Sequence, residues 1–243
     1  MEQPEDAELV RRSAARLYGA GQRIWDPGDR WNSHKRKSIE DFARAAATRL
    51  VDAADRILDA GCGCEPYEWL PGRTISLDRF WMQLRGRSRP VAGDLGALPL
   101  QDASMDLVVC IASVLNYVSA AEAISEIARV TRPGGHLLLH FETSTSFEQF
   151  GHRRWGDSVV RIDTINGGHE DTLWIYRPSY VASLLSAVGF QIQRERRFHI
   201  LSALGLRLGL SQHRASPLSA LDRVLAPLGA FADDVILLCE RRP

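Results

Sequence analysis

Residues 56–67 read RILDAGCGCEPY. A short apolar run ends at Asp59 and passes into two glycines spaced two apart, Gly61 and Gly63. Glycine permits a tight turn and a close approach of backbone to a ligand, so the stretch reads as a strand leading into a nucleotide-type loop. A dinucleotide fingerprint would carry a third glycine at position 66. Proline stands there instead and removes an amide donor from the start of the next helix. A pyrophosphate is therefore a poor fit. A cofactor with a cationic centre and no phosphate fits better.

Working outward, the element types alternate. RTISLD (73–78) and PVAGD (90–94) are further short strands that end, like the first, on an acid: Asp78 and Asp94. MDLVVCIAS (105–113) is the most apolar strand. A helix over 119–131 follows, with Ser119 and Glu122 as a capping box, and RPGG (132–135) is expected to stop it. HLLLHFET (136–143) is strand five. A helix over 178–188 opens on Pro178 and closes at Gly189, and strands at 190–198 and 234–242 end the chain. Upstream, 5–20 reads as a loosely amphipathic helix. A second helix is expected from Ser38 as its cap, with Ile39, Phe42, Ala46 and Leu50 on one face. Strands alternating with helices imply an α/β, Rossmann-like, seven-stranded and mostly parallel sheet with helices on both faces. Such sheets bind ligands at the carboxyl ends of their strands, where Asp59, Asp78 and Asp94 all fall. One acid there is usually a turn or cap residue; three in succession point to a ligand.

Two segments interrupt the pattern. Residues 144–177 contain two alternating runs around NGG, an inserted hairpin after strand five. Residues 199–231 are leucine-rich and helical, with Pro217 and Pro227 as breaks. The expected organisation is N-terminal helices over 1–54 covering the cofactor site and a catalytic domain over 55–243, with the hairpin and the leucine-rich region shaping an acceptor pocket. The latter region also suits a homodimer contact or a membrane-touching segment. Formal net charge is zero, which argues against a broad surface for nucleic acid. Cys62 and Cys64 form a C-x-C pair without two further ligands nearby, so no metal is expected. Cys110 reads as a small buried hydrophobe. Free thiols, an acidic N-terminus without a signal-peptide core and the lack of a long apolar run suggest a cytoplasmic enzyme.

ILDAGCG (57–63), the acid 19 residues after Asp59, GDLGALPLQDASMDLVVCIASVLNYV (93–118), EIARVTRPGGHLLLHFE (126–142) and LWIYRPSYVASLLSAVGFQI (173–192) occur in that order. Together they resemble the class I S-adenosylmethionine-dependent methyltransferases. GCGCEPYEWL is similar to a subset with G-C-G-x-x-P-Y-x-x-L. The resemblance implies S-adenosylmethionine as cofactor. Asp59, Ala60, Gly61, Cys62 and Gly63 would face its methionine part. Asp78 would accept from the ribose hydroxyls, and Asp94 from the adenine amine beside the Leu95 amide. Arg79 or Phe80 would cover an adenine face, and Ile111 would line the site. Tyr67, Trp31 and Tyr117 are candidates for aromatic contact with the sulfonium.

The methyl donor is already activated, so proximity and alignment supply much of the catalysis. A base is needed only where the acceptor must lose a proton. Relatives often read V-L-E-H after strand four; this chain reads VLNYV (114–118), which places Asn116 and Tyr117 where the Glu–His pair would stand. Glu142, at the end of strand five, is the leading catalytic candidate, with Tyr117 beside it. His140 suits a satisfied core residue, and His152, His169 and Glu170 suit solvated positions. Trp155, Trp174 and Tyr176 fit either an aromatic acceptor or the hairpin's own core. The expected activity is methylation of a small molecule, at oxygen ahead of nitrogen or carbon. A protein or RNA target, a non-catalytic binding protein of this fold and a dinucleotide-dependent dehydrogenase are the alternatives.

Overall fold

The computed structural model describes residues 4–21, 28–166, 169–222 and 224–242. Helices α1 (Pro4–Tyr18) and α2 (Arg30–Ala53) precede β1 (Ile57–Ala60), β2 (Ile75–Asp78), β3 (Pro90–Ala92) and β4 (Met105–Cys110). Then come α3 (Ala120–Val130), β5 (Thr131–Glu142), the hairpin strands β6 (Val159–Asn166) and β7 (His169–Tyr176), α4 (Pro178–Ala187) and β8 (Phe190–Phe198). Helices α5 (Leu201–Arg207) and α6 (Gln212–Ala215) and two 3-10 turns lead to β9 (Asp234–Arg241).

The main sheet has seven strands in the order β3-β2-β1-β4-β5-β9-β8. Strands β1 to β5 pair in parallel, and β9 runs antiparallel between β5 and β8. This is the expected sheet, with a separate β6–β7 hairpin inserted after strand five. The glycine turn expected in that hairpin lies at 167–168, outside the described residues. β1 is buried along its whole length, as a central parallel strand covered on both faces must be. One core face joins Leu58, Val108, Leu137 and Leu139 to Ile124 and Ile127 of α3 and Val181 and Leu185 of α4. The other joins Ile57, Leu107, Val109 and Leu138 to Ile39, Phe42, Ala43 and Ala47 of α2.

Three local expectations are corrected. Helix α2 starts at Arg30, not at Ser38. Asp29 caps it, its carboxylate accepting from the amides of Trp31 and Asn32. The buried stripe extends back through Ser38 and Lys35 to Trp31; a lysine inside it hides the periodicity. RPGG ends α3 but does not form a loop: β5 already runs from Thr131, and the irregular start is absorbed by a register shift against Met105 and Leu107. β4 stops at Cys110, and Ala112 and Ser113 follow at φ of 64° and 62°. A left-handed non-glycine residue is unfavourable by roughly 1–2 kcal/mol. Here Ser113 is held by its own bonds, its amide donating to His140 Nδ1 (3.0 Å) and its hydroxyl to Glu142 (2.8 Å).

In the 199–231 region Leu208 and Val224 stand exposed. Among the described residues no helix is long and apolar enough to cross a membrane.

Candidate functional site

At the carboxyl edge of β1, β2 and β4 a cavity of about 100 Å³ is lined by Gly61, Gly63, Asp78, Arg79, Asp94 and Leu95, with Phe80 beside them and Ala14 and Tyr18 from α1 above. The glycine loop folds back onto β2: the amides of Gly61 and Cys62 both donate to the Leu77 carbonyl, at 2.8 and 3.0 Å. Asp78 at the end of β2 is 8% exposed. The Gly63 amide donates to its Oδ2 (3.1 Å) and the Phe80 amide to its Oδ1 (2.9 Å). Burial pushes this carboxyl up, and the backbone amides pull it back. Each oxygen keeps a lone pair for a further donor. Asp94 accepts from the Gly96 amide at 2.9 Å, and Arg79 Nε stands 3.8 Å from it.

Gly61 adopts φ +76°, and a Cβ there would lie 2.4 Å from Val114 Cγ1. Gly61→Ala is therefore expected to lose about 1–2 kcal/mol from backbone strain alone, with the clash adding to it. A fall in thermal midpoint shared by titration at the cavity would show both; an unchanged midpoint would refute the close approach.

Four residues expected at the cofactor do not line this cavity: Asp59, Ala60, Cys62 and Ile111 are each buried. Asp59 is already engaged. Its Oδ2 lies 2.7 Å from Arg87 Nη2 with both side chains almost wholly buried, and Arg87 Nε donates to Ser76 Oγ at 3.2 Å. Burial pushes the Asp59 carboxyl up to about 7 against the pull of Arg87. The Cys62 thiol is pushed up by burial and by Asp59, which keeps it protonated. Tyr67 packs in the α2 face of the core, not at the cavity.

A second cavity, of about 90 Å³, shares Tyr18, Ala112 and Tyr117 with the first. Its polar wall carries Lys35, Glu142, Glu148, Asp171 and Asp233. Its apolar wall carries Trp31, Leu206 and the hairpin residues Ile162, Leu173 and Ile175. Lys35 Nζ lies 2.6 Å from Glu142 Oε1 and 3.1 Å from Asp234 Oδ1. Asp234 also meets His140 Nε2 (3.0 Å) and His199 Nδ1 (2.6 Å), and His199 Nε2 meets His34 Nδ1 (2.9 Å). These contacts assign the tautomers. His140 Nδ1 accepts from Ser113, so its proton sits on Nε2 facing Asp234. His199 donates from Nδ1 to Asp234. Burial pushes His34 down to about 4, with His199 adding to the shift, so it stays neutral. Trp31 stacks on His199, 4.1 Å between centroids.

Tyr117 sits where the cavities meet. Its hydroxyl donates to Asp171 Oδ2 at 2.5 Å and lies 3.0 Å from the Tyr18 hydroxyl, while Ser13 donates to Asp171 Oδ1. Burial and the neighbouring Tyr18 and Asp171 hold its phenol well above the ordinary range, so it acts as a donor and not as a base. Tyr117→Phe is expected to destabilise by about 1–3 kcal/mol, because Asp171 loses a charge-assisted bond in a buried setting; chemical denaturation measures it, and a neutral result would remove the network's structural role.

The remaining aromatic candidates divide differently. Trp174 and Tyr176 are buried in the core, the Tyr176 hydroxyl donating to the Val118 carbonyl at 2.7 Å. Trp155 stacks against Phe231 at 6.1 Å. His152, His169 and Glu170 are exposed. Lys35, Glu148 and Asp233 escaped the sequence-based list. Lys35 sits in a basic run and Asp233 in an Asp–Asp pair, both of which read as solvated charge, and Glu148 stands alone; only a lysine interrupting the apolar stripe of α2 marks one of them.

The strand order, the glycine loop after β1 and the acid at the end of β2 decide the fold. This is the class I S-adenosylmethionine-dependent methyltransferase fold. Residues 58–139 match a family model described as a methyltransferase domain. Over its full length the chain superposes on the 1,6-didemethyltoxoflavin-N1-methyltransferase of Burkholderia thailandensis, solved with 1,6-didemethyltoxoflavin and S-adenosylhomocysteine. The TM-score is 0.59 and the identity 16%, covering 92% of that chain. In sequence the chain is 32% identical over 140 residues to a demethylmenaquinone methyltransferase of Mycobacterium sp. strain KMS, covering 56% of this chain and 50% of that one. It is 32% identical over 129 residues to a malonyl-[acyl-carrier protein] O-methyltransferase of Yersinia pestis, covering 47% and 48%. The chain thus spans about half the length of these methyltransferases.

Proposed function

We propose that this chain is an S-adenosylmethionine-dependent methyltransferase acting on a small molecule. The observation that carries the proposal is the pairing of two cavities across Tyr18, Ala112 and Tyr117, one built on Asp78 and the glycine loop, the other on Glu142. S-adenosylmethionine supplies a methyl group already activated on a sulfonium. Asp78 would hold the ribose hydroxyls, Asp94 the adenine amine, and the backbone around Gly61 and Gly63 the methionine end. Asp59 would act one step back, by anchoring Arg87 beneath the loop. Among the described residues lining the first cavity Arg79 is the one cation, which suits this cofactor over one that carries phosphates.

α1 would cover the cofactor. The hairpin, α5 and α6 would enclose the acceptor. Glu142 would receive a proton from an acceptor hydroxyl or amine, with Lys35 and Ser113 orienting its carboxylate. A hydroxyl acceptor is the expectation from sequence; a nitrogen acceptor is favoured by one observation, the excess of carboxylates around the second cavity. The four free cysteines suit a reducing compartment, and we place the enzyme in the cytoplasm on that ground.

Calorimetric titration with S-adenosylhomocysteine and, separately, NAD tests the proposal. Saturable binding of the first alone is expected; binding of NAD alone would overturn it.

A further inference from the structure

The second cavity is acidic beyond what its one cation neutralises. Glu142, Glu148, Asp171 and Asp233 line it, Asp234 lies directly behind, and Lys35 is the single ammonium among the described lining residues. Lys35 is already shared between Glu142 and Asp234. Asp171 is satisfied by Tyr117 and Ser13. Two carboxylates are left over. Asp233 is only 8% exposed, and among the described residues its side chain has no hydrogen-bond or ion-pair partner while facing the cavity. The Glu148 carboxylate, on the same polar wall, has none among the described residues either.

A buried carboxylate without a partner is unfavourable, and proteins keep such groups where a ligand completes them. Burial and the repulsion of Glu142 push Glu148 up to about 7. Burial, then Asp234, Glu148 and Glu142, push Asp233 well above the carboxylate range. The groups facing the pair are Glu142, Lys35 and Asp234, with His199 adjoining Asp233. A hydroxyl or carboxylate ligand would leave the raised carboxyls holding their protons. A cation would stabilise them ionised. The indole of Trp31 on the apolar wall of the same cavity adds a face that attracts cations.

We infer that the acceptor is a small amine, bound as a cation between Glu148 and Asp233 and methylated at nitrogen. This rests on the methyltransferase proposal above. The ammonium first yields a proton to a wall carboxylate. The freed nitrogen lone pair then forms the new C–N bond as the methyl–sulfur bond breaks, its electron pair passing to sulfur. The product is a methylated ammonium, whose remaining charge the same acids hold until release.

The test is calorimetry on the full chain saturated with S-adenosylhomocysteine, using benzylamine, benzyl alcohol and benzoate as probes. Benzylamine is expected to bind at least about 10-fold more tightly than benzyl alcohol, the difference expected for one charge-assisted contact. Comparison of two buffers of different ionisation enthalpy should show proton release near pH 7, since binding of a cation drives the raised carboxyls to ionise. Glu148→Gln and Asp233→Asn should each weaken benzylamine several-fold, without weakening S-adenosylhomocysteine. Equal binding of the alcohol or benzoate, no amine binding at millimolar concentration, or unchanged amine affinity in both variants would overturn the inference. A wild-type chain that fails to bind S-adenosylhomocysteine would refute the methyltransferase proposal instead. Benzylamine titrated into the unliganded chain would then still report on the two acids.

Discussion

Lys35→Met is expected to lower the stability of the fold by about 3–5 kcal/mol, because it strands buried carboxylates without their cation. For a chain of this size that is a fall in melting temperature of roughly 10 °C. Lys35 is buried, and its ammonium reaches both Glu142 and Asp234. Burial works against its charge, but Asp234 and Glu142 outweigh burial and hold its pKa above the ordinary lysine value. A lysine raised in this way contributes stability that is fully present below about pH 10, its unfolded pKa, and lost only as pH rises through the folded value. The other side of the pair sets the acid limit. Asp234 is held well below the carboxylate range: burial opposes this, but Lys35, His140 and His199 overcome it. Its contribution is present above about pH 4 and is lost as pH falls below that. Urea denaturation at neutral pH and below pH 4 checks both. The wild type should weaken steeply on acidification and Lys35→Met less so, since Asp234 then has less depression to lose. A variant as stable as the wild type at neutral pH would show that the cluster does not depend on its ammonium.

Asp78→Ala is expected to weaken S-adenosylhomocysteine at least about 10-fold, and on the order of 100-fold if both ribose hydroxyls donate to it, at about 1.5–3 kcal/mol per charge-assisted bond. Its two oxygens are already aimed by the Gly63 and Phe80 amides, so little ordering remains to be done on binding. Those same bonds mean that alanine also loosens the glycine loop. Asp78→Asn separates the effects, because the amide keeps one acceptor for the backbone and loses the charge. It should fall between wild type and alanine in both affinity and melting temperature, since one of the two backbone amides loses its acceptor. Equal affinity in all three proteins would remove Asp78 from the cofactor site.

Much of the first cavity's lining was legible in sequence because its signals are local. Gly61 and Gly63 follow a strand directly, Asp78 ends one and Asp94 stands two residues past another, so a few adjacent residues define each part. The same locality does not show what holds Asp59. Its place at a strand end looked like that of Asp78, but Arg87 comes back under the loop and takes it up, and no spacing rule announces a guanidinium 28 residues away. Helix α2 was cut short for a related reason. A stripe that runs Trp31, Lys35, Ser38, Ile39 looks polar until the partners of the lysine are known.

The order of strands and helices, the glycine turn and the acids at strand ends determined this fold from the sequence alone, since hydrophobic periodicity and turn chemistry act over a few residues. The acceptor side was decided by tertiary structure. Lys35, Glu142, Glu148, Asp171 and Asp233 come from separate parts of the chain, α2, the end of β5, the turn after it, β7 and the start of β9. Glu142 is marked in sequence by its strand end; the others each read as an ordinary solvated charge. Their meaning depends on distance and on the exclusion of water, and both exist only once the hairpin and the last two strands have closed around them.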